Sequence, residues 1–254
     1  MTFFYDSRTL FERHVTKLVR NPTLLATNLV TPILFLVLFS QLLQNLSMFP
    51  GVTGSYLAYL TPGIVVLIAF IGATLSGVSI VNDLNSGFLS KMLTTQVSKS
   101  AILVGRLMTD VFVVVVQCVV TLAVAFAMGV TVATGLPGVL LILVTVAFFE
   151  LALCGVFLAV GMKTRKTETI SAIGNILFFP LIFISSAMFP SAFFPSWAQT
   201  ISRYNPVSYA SDATRQLVQG GLNWNTLASA YAIMAVIAFA GFLATIIQFR
   251  KAVG

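Results

Sequence analysis

Six runs of about twenty residues, almost free of charge, constrain this chain more than any other feature. They lie at roughly 23–43, 57–81, 104–128, 137–162, 169–189 and 227–249. A helix needs about 20 apolar residues to cross the hydrocarbon core of a bilayer, so each run predicts a transmembrane helix. Composition agrees, with 58% of the 254 residues hydrophobic and 8% charged, where a soluble domain carries about 25% charged residues. The expected fold class is an all-α polytopic membrane protein with one domain over 1–254. The first run follows four basic residues and lacks a small-x-small exit, so it reads as a retained helix and not a cleaved signal.

Charge placement orients the helices. Arg8, Arg13, Lys17 and Arg20 precede the first run, while Lys91, Lys99 and Arg106 follow the second. Lys163, Arg165 and Lys166 separate the fourth from the fifth, and Arg250 and Lys251 follow the sixth. Only Arg203 and Arg215 of the 14 basic residues fall on the other side. The positive-inside rule then predicts six spans with both termini cytoplasmic, in the cell membrane. The net charge of +7 is therefore topological and does not mark a nucleic-acid surface, since no basic cluster is interleaved with exposed aromatics.

Several chemistries are excluded. His14 is the lone histidine, Cys118 and Cys154 both sit in apolar runs, and no CxxC pair exists, so neither a metal site nor a disulfide framework is expected. No GxxxxGK[ST] loop is present, so the chain is not expected to hydrolyse nucleotide itself. No Ser/His/Asp set or paired catalytic carboxylates occur, and a transporter subunit without a catalytic site is expected.

Three segments do not read as spans. In residues 1–21, Phe4, Phe11, Val15 and Leu18 fall within one helical arc, with Arg13, Lys17 and Arg20 opposite. This predicts an amphipathic helix lying in the cytoplasmic interface against membrane lipids; the plainer reading is a positive flank that orients the first span. Between spans two and three, "NDLNSG" reads as a helix break. Residues 86–99 can then form a short helix with Phe88, Leu89, Met92 and Leu93 on one side and Lys91 toward water. That face is too small to bind a bilayer firmly and too apolar to leave in water, so either a protein partner receives it or it rests on headgroups. On the outer side, Pro190 and Pro195 stop helices, while "SWAQTISRY" and "PVSYASDATRQL" support two short amphipathic ones. Trp197, Tyr204 and Tyr209 suit the headgroup level. Irregular backbone at that depth needs burial in protein or a cavity, so a re-entrant hairpin over 190–220 is expected.

Within the spans, Glu150 is the outstanding polar group. An acid at mid-membrane costs a few kcal/mol by insertion scales (~2.5–3.5), so it must face the bundle interior, pair or stay protonated. It either lines a transport path or couples to protons, or it makes a structural hydrogen bond to Gln117, Asn175 or a serine. Asp110, four residues after Arg106, suits an i,i+4 pair. Gly72, Ala73, Ser76 and Gly77 form a small-residue packing seam.

These pieces resemble the permease subunits of ABC type-2 exporters, the group that includes the daunorubicin-resistance permeases. The resemblance spans nearly the whole chain. It rests on "RNP" with Pro32, on "GFLSKMLTTQVSKSAILVGR" (87–106), and on "PLIFISSAMFP" (180–190) followed by "FPSWAQTISRYNPVSYASDATR". Ser90, Gln96 and Asn85 depart from the family's usual Glu, Pro and acidic residue. The resemblance implies a pair of permease copies and two separate ABC ATPase subunits that bind ATP and Mg, with no cofactor in this chain. It implies a coupling helix carrying Gly87, Phe88, Leu89, Lys91, Met92, Leu93 and Val97. It also implies an outer gate carrying Phe189, Pro190, Pro195, Trp197, Asn205, Pro206, Tyr209 and Arg215. The substrate class it favours is a hydrophobic or amphipathic drug or lipid. A lipid-linked polysaccharide and a proton-coupled transporter built on Glu150 are the alternatives.

Overall fold

The computed structural model describes residues 9, 11, 12, 16, 22–43, 54–87 and 99–253, with backbone alone at 22–28, 99–100 and 250–253. Among the described residues, the α-helices with defined bounds are α1 (Pro22–Leu42), α2 (Tyr56–Asn85), α3 (Lys99–Ala127), α4 (Gly135–Thr164), α5 (Thr167–Phe183), α6 (Ser196–Tyr204), α7 (Pro206–Gln219) and α8 (Trp224–Val253). A 3-10 turn, Ser191–Phe193, precedes α6. No strand occurs among the described residues. Helices α2, α3, α4 and α8 are long and apolar enough to cross a membrane, while α5 and the described apolar part of α1 are shorter. The molecule is a multi-pass membrane protein.

Helix α2 is the centre of the bundle, with Tyr59 through Phe70 buried without a break. A helix that is apolar on every face belongs inside a bundle or a membrane. Its neighbours run in alternating directions. Gly72 and Gly77 of α2 meet Glu150 and Phe157 of α4, so those two helices are parallel. Thr74 meets Gly174 of α5 and Asp83 meets Arg106 of α3, so α5 and α3 run antiparallel to α2. Helix α8 lies parallel to α4, through Tyr231 on Thr145 and Gly241 on Gly155.

Small residues permit these crossings. A Cβ built on Gly155 would sit 2.8 Å from the carbonyl carbon of Gly241, and one on Gly161 would sit 2.9 Å from the Gly77 oxygen. With lipid as solvent there is no hydrophobic drive between helices, so close backbone approach and interhelical hydrogen bonds hold the bundle. Thr245 supplies one such bond, donating to the Gly155 carbonyl at 2.7 Å.

Two helix ends differ from the sequence expectation. The "NDLNSG" stretch was expected to end α2, yet the helix runs through Asn85, with Ser86 as C-cap. Asp83 is held there by Arg106 at 2.6 Å, so the extra turn is anchored from outside. In the other direction, the expected helix over 169–189 stops at Phe183. Its 17 residues reach only about 26 Å at 1.5 Å per residue, and residues 184–190 continue as irregular backbone. Pro180 removes one donor from the last turn. The last carbonyls of this helix end are taken by Asn205, which donates to Leu181 and Ile184, and by Ser185, which donates to Ile182. A helix end buried in protein requires such partners.

Candidate functional site

Three polar clusters stand out, one at each end of the bundle and one in its middle. The first flanks the connection between α2 and α3. Arg106 is buried, and its guanidinium bonds Asp83 at 2.6 Å and the Ser76 carbonyl at 3.1 Å. Its Nε lies 3.8 Å from Asp110, and Asp110 in turn accepts from the Ser76 hydroxyl. The expected Arg106–Asp110 pair is thus one arm of a clamp joining two helices. Asn85 adds a 3.5 Å bond to the Arg165 carbonyl, which brings the α4–α5 turn to the same end. Gly87 adopts φ 69, a conformation that costs glycine nothing, and turns the chain out of α2. Phe88, Leu89, Lys91, Met92, Leu93 and Val97 lie outside the described residues.

The first-helix expectation is described only in part. Phe11 sets its ring edge against Phe112 of α3, with centroids 5.6 Å apart, and Thr16 donates to the Glu12 carbonyl. Phe4, Arg13, Val15, Lys17, Leu18 and Arg20 fall outside the described residues.

In the middle, Glu150 is 1% exposed and its carboxylate lies against Gly72. A Cβ at that glycine would come within 2.6 Å of Oε1. Oε2 has no hydrogen-bond partner among the described residues. Gln117 is buried on α3, while Asn175 is exposed on α5, lining a groove of about 280 Å³ with Thr74, Ser171 and Phe178. The structural hydrogen bonds considered for Glu150, to Gln117, Asn175 or a serine, are not formed among the described residues. Cys118 and Cys154 are buried free thiols.

The third cluster organises the hairpin. "SWAQTISRY" forms α6 and "PVSYASDATRQL" opens α7, as their amphipathic spacing predicts. Asn205 joins them: its side-chain oxygen caps α7 by accepting from the Val207 N–H, while its amide donates to the end of α5. Pro206 follows at the first helical position, where a missing N–H costs nothing. Arg215 then reaches from α7 to the irregular 184–190 segment. Its guanidinium donates to the carbonyls of Ser186 at 2.6 Å, Ala187 at 3.3 Å and Tyr59 at 3.3 Å. It pairs with Asp212 at 2.7 Å and stacks 3.8 Å above the Tyr59 ring. Tyr56 and Tyr59 donate their hydroxyls to Met188 and Ser186. Non-helical backbone at this depth is thereby satisfied inside the protein. Gly63 of α2 lets it approach, because any Cβ there would collide with the Ala187 carbonyl. Pro190 is buried and Phe189 half-buried, while Pro195 and Trp197 are exposed and Tyr209 is half-buried.

The model of the ABC-2 type transporter matches residues 5–219, through the end of α7. The chain belongs to the ABC-2 type transporter family. Among its relatives is a protein named as a transport permease, ycf38, of Pyropia yezoensis. It is 31% identical over 227 residues, covering 87% of this chain and 76% of the relative. The daunorubicin resistance ABC transporter permease protein DrrB1 of Streptomyces coeruleorubidus is 28% identical over 199 residues, covering 78% and 70%. A doxorubicin resistance ABC transporter permease protein, DrrC, of Mycobacterium tuberculosis is 24% identical over 209 residues, covering 82% and 75%.

For this ABC-2 chain, sequence reasoning singled out Arg215, Asn205 and Pro206 but missed the groups they serve. Tyr59, Ser186 and Asp212 complete the Arg215 cluster, and Gly63 makes room for it. Asp83 was read only as part of a turn. Its signal was an acid 23 residues before a buried arginine, which one sequence cannot tie together.

Proposed function

We propose that this chain is the membrane-spanning permease subunit of an ATP-driven exporter. It works as a pair of copies with two separate ATPase subunits that hold ATP and Mg. Six alternating spans place both termini in the cytoplasm, and a hydrophobic or amphipathic compound leaves outward along a path between the two permeases. Residues 86–99 are the coupling helix received by the ATPase, and residues 190–220 are the outer gate hairpin.

The observation that carries this reading is the family match, which runs through both the 86–99 connection and the hairpin. The alternating helix directions around α2 support the six-span topology, since successive spans must reverse. The Asp83–Arg106–Asp110 clamp supports the coupling role: α2 and α3 would respond together to a push on the segment between them. Such a push shifts a conformational equilibrium from a distance and needs no catalytic group in this chain.

The test is to co-express the chain with its ATPase and replace Leu89 and Met92 by Asp. Loss of ATPase association and of export is expected while the permease still inserts. Retention of both would overturn the coupling assignment. The orphaned Oε2 of Glu150 favours one second reading, proton-coupled transport. Under the export reading, Glu150→Gln leaves the pH profile of transport unchanged, whereas a proton-coupled carrier would lose its pH dependence. Cargo of the lipid-linked polysaccharide type would be told from drugs or simple lipids by which compound stimulates ATP hydrolysis in the reconstituted complex.

A further inference from the structure

The hairpin holds a pocket that neither the coupling scheme nor the helix packing uses. Its volume is about 510 Å³, and its lining includes Ser191, Arg203, Tyr204, Tyr209 and Asp212. Most of the polar lining is already committed. Asp212 accepts from Arg215 and from the Ser186 hydroxyl, and Gln199 donates to the Phe194 carbonyl. Arg203 is different: it is exposed and makes no hydrogen bond or ion pair among the described residues. Since Asp212 is balanced by Arg215, the pocket carries one uncompensated positive charge.

The helix bearing Arg203 also presents an apolar stripe. Trp197, Ile201 and Tyr204 recur at helical spacing on α6 and are 61%, 48% and 80% exposed, while Ala198 and Ser202 face inward. Trp224, at the start of α8, is 68% exposed and lies at the same end of the bundle, since Gln216 of α7 donates to the Asn223 carbonyl beside it. Exposed indoles and phenols around a bundle end mark the headgroup level of a bilayer. An apolar stripe continuous with a polar pocket and a free guanidinium is complementary to one kind of molecule: two acyl chains joined to an anionic phosphodiester.

We propose that this pocket binds the headgroup of an anionic phospholipid in the leaflet on the hairpin side. The phosphodiester lies on Arg203, whose planar fork matches two phosphate oxygens, and the acyl chains run along Trp197 and Ile201. The volume falls in the range of small-molecule sites. The site rests on the membrane placement of the bundle and not on the export reading. It would hold equally in a carrier of any mechanism.

Trp197 is the reporter. With Trp224→Phe, it is the sole tryptophan of the chain. The full-length protein in detergent is titrated with phosphatidylglycerol brominated on its acyl chains, and Trp197 emission is followed. Saturable quenching is expected, and in Arg203→Gln the half-quenching concentration rises about tenfold, the loss of one charge-assisted contact. Arg203→Lys keeps the charge without the fork and is expected to fall between the two. Arg203 is at the surface, and equal melting temperatures of the three proteins check that folding is unchanged. Brominated diacylglycerol, which lacks the phosphate, is expected to quench no better in the parent than in Arg203→Gln. Equal quenching of parent and Arg203→Gln by the phospholipid would overturn the site. Quenching of the parent by diacylglycerol at concentrations as low as for the phospholipid would reduce it to apolar wetting. Competition by glycerol phosphate at concentrations similar to the lipid would reassign it to a soluble phosphate ester.

Discussion

The two buried arginine clusters use the same side chain for different ends. At the α2–α3 end, Arg106 faces two carboxylates on two regular helices and takes one carbonyl. At the hairpin end, Arg215 faces one carboxylate on its own helix, three carbonyls and an aromatic ring. The first is a charge clamp between elements that already satisfy their own backbones. The second replaces backbone hydrogen bonds that the chain gave up when α5 ended early. A clamp of the first kind depends on charge, and a brace of the second kind depends on the number and direction of donors. That distinction separates the substitutions that each end should tolerate.

The strongest break of the comparison is Arg106→Gln. It strands Asp83 and Asp110, whose side chains are 23% and 20% exposed, and removing one partner from a buried pair costs about 3 kcal/mol or more. Thermal melting of the purified protein in detergent should fall steeply, and Asp83→Asn in the same background should recover part of the loss. Next comes Gly63→Ala, which forces its Cβ into the Ala187 carbonyl; the expected cost is about 2–3 kcal/mol. The damage should be local, seen as faster proteolysis near 184–195 with the rest of the bundle intact. The lysine exchange sharpens the contrast. Arg106→Lys keeps the charge and should cost about 1 kcal/mol, whereas Arg215→Lys loses fork donors to buried carbonyls and should cost about 2. If the two exchanges are equally mild, the brace is merely a second ion pair. The smallest effect is expected for Ser202→Ala, which removes one neutral hydroxyl contact, to Ser208, between α6 and α7. About 1 kcal/mol should appear as earlier cleavage of the hairpin.

The helical plan was legible because the bilayer enforces a minimum helix length, and that is written in local composition. The hairpin helices were legible too, since Pro195, Asn205 and Pro206 punctuate them. The end of α5 was not. "FISSAM" is as apolar as a span, and the reason it leaves the helix lies in Asn205, more than twenty residues away. Glu150 drew attention as a charge in apolar company and Arg215 as a motif residue of the hairpin, but what each one touches depends on distant glycines. Gly72 and Gly77 stood out because they repeat within one helix. Gly63, Gly155 and Gly241 did not stand out, and such a glycine has no visible counterpart until the partner helix is placed. Tertiary pairing, not local preference, selected those residues.

The crossing of Gly155 and Gly241 bears on the order in which the protein can be made. Thr245 and the Gly155 carbonyl are separated by 90 positions, so α4 must wait in the membrane while α5, the hairpin and most of α8 are synthesised. Until then the groove at Gly155 offers bare backbone to lipid, a surface that any other small-residue helix could occupy. The arrival of α8 is therefore the step at which the newborn bundle commits to its own partner, and a chain interrupted before Gly241 should be a preferred substrate for membrane quality control.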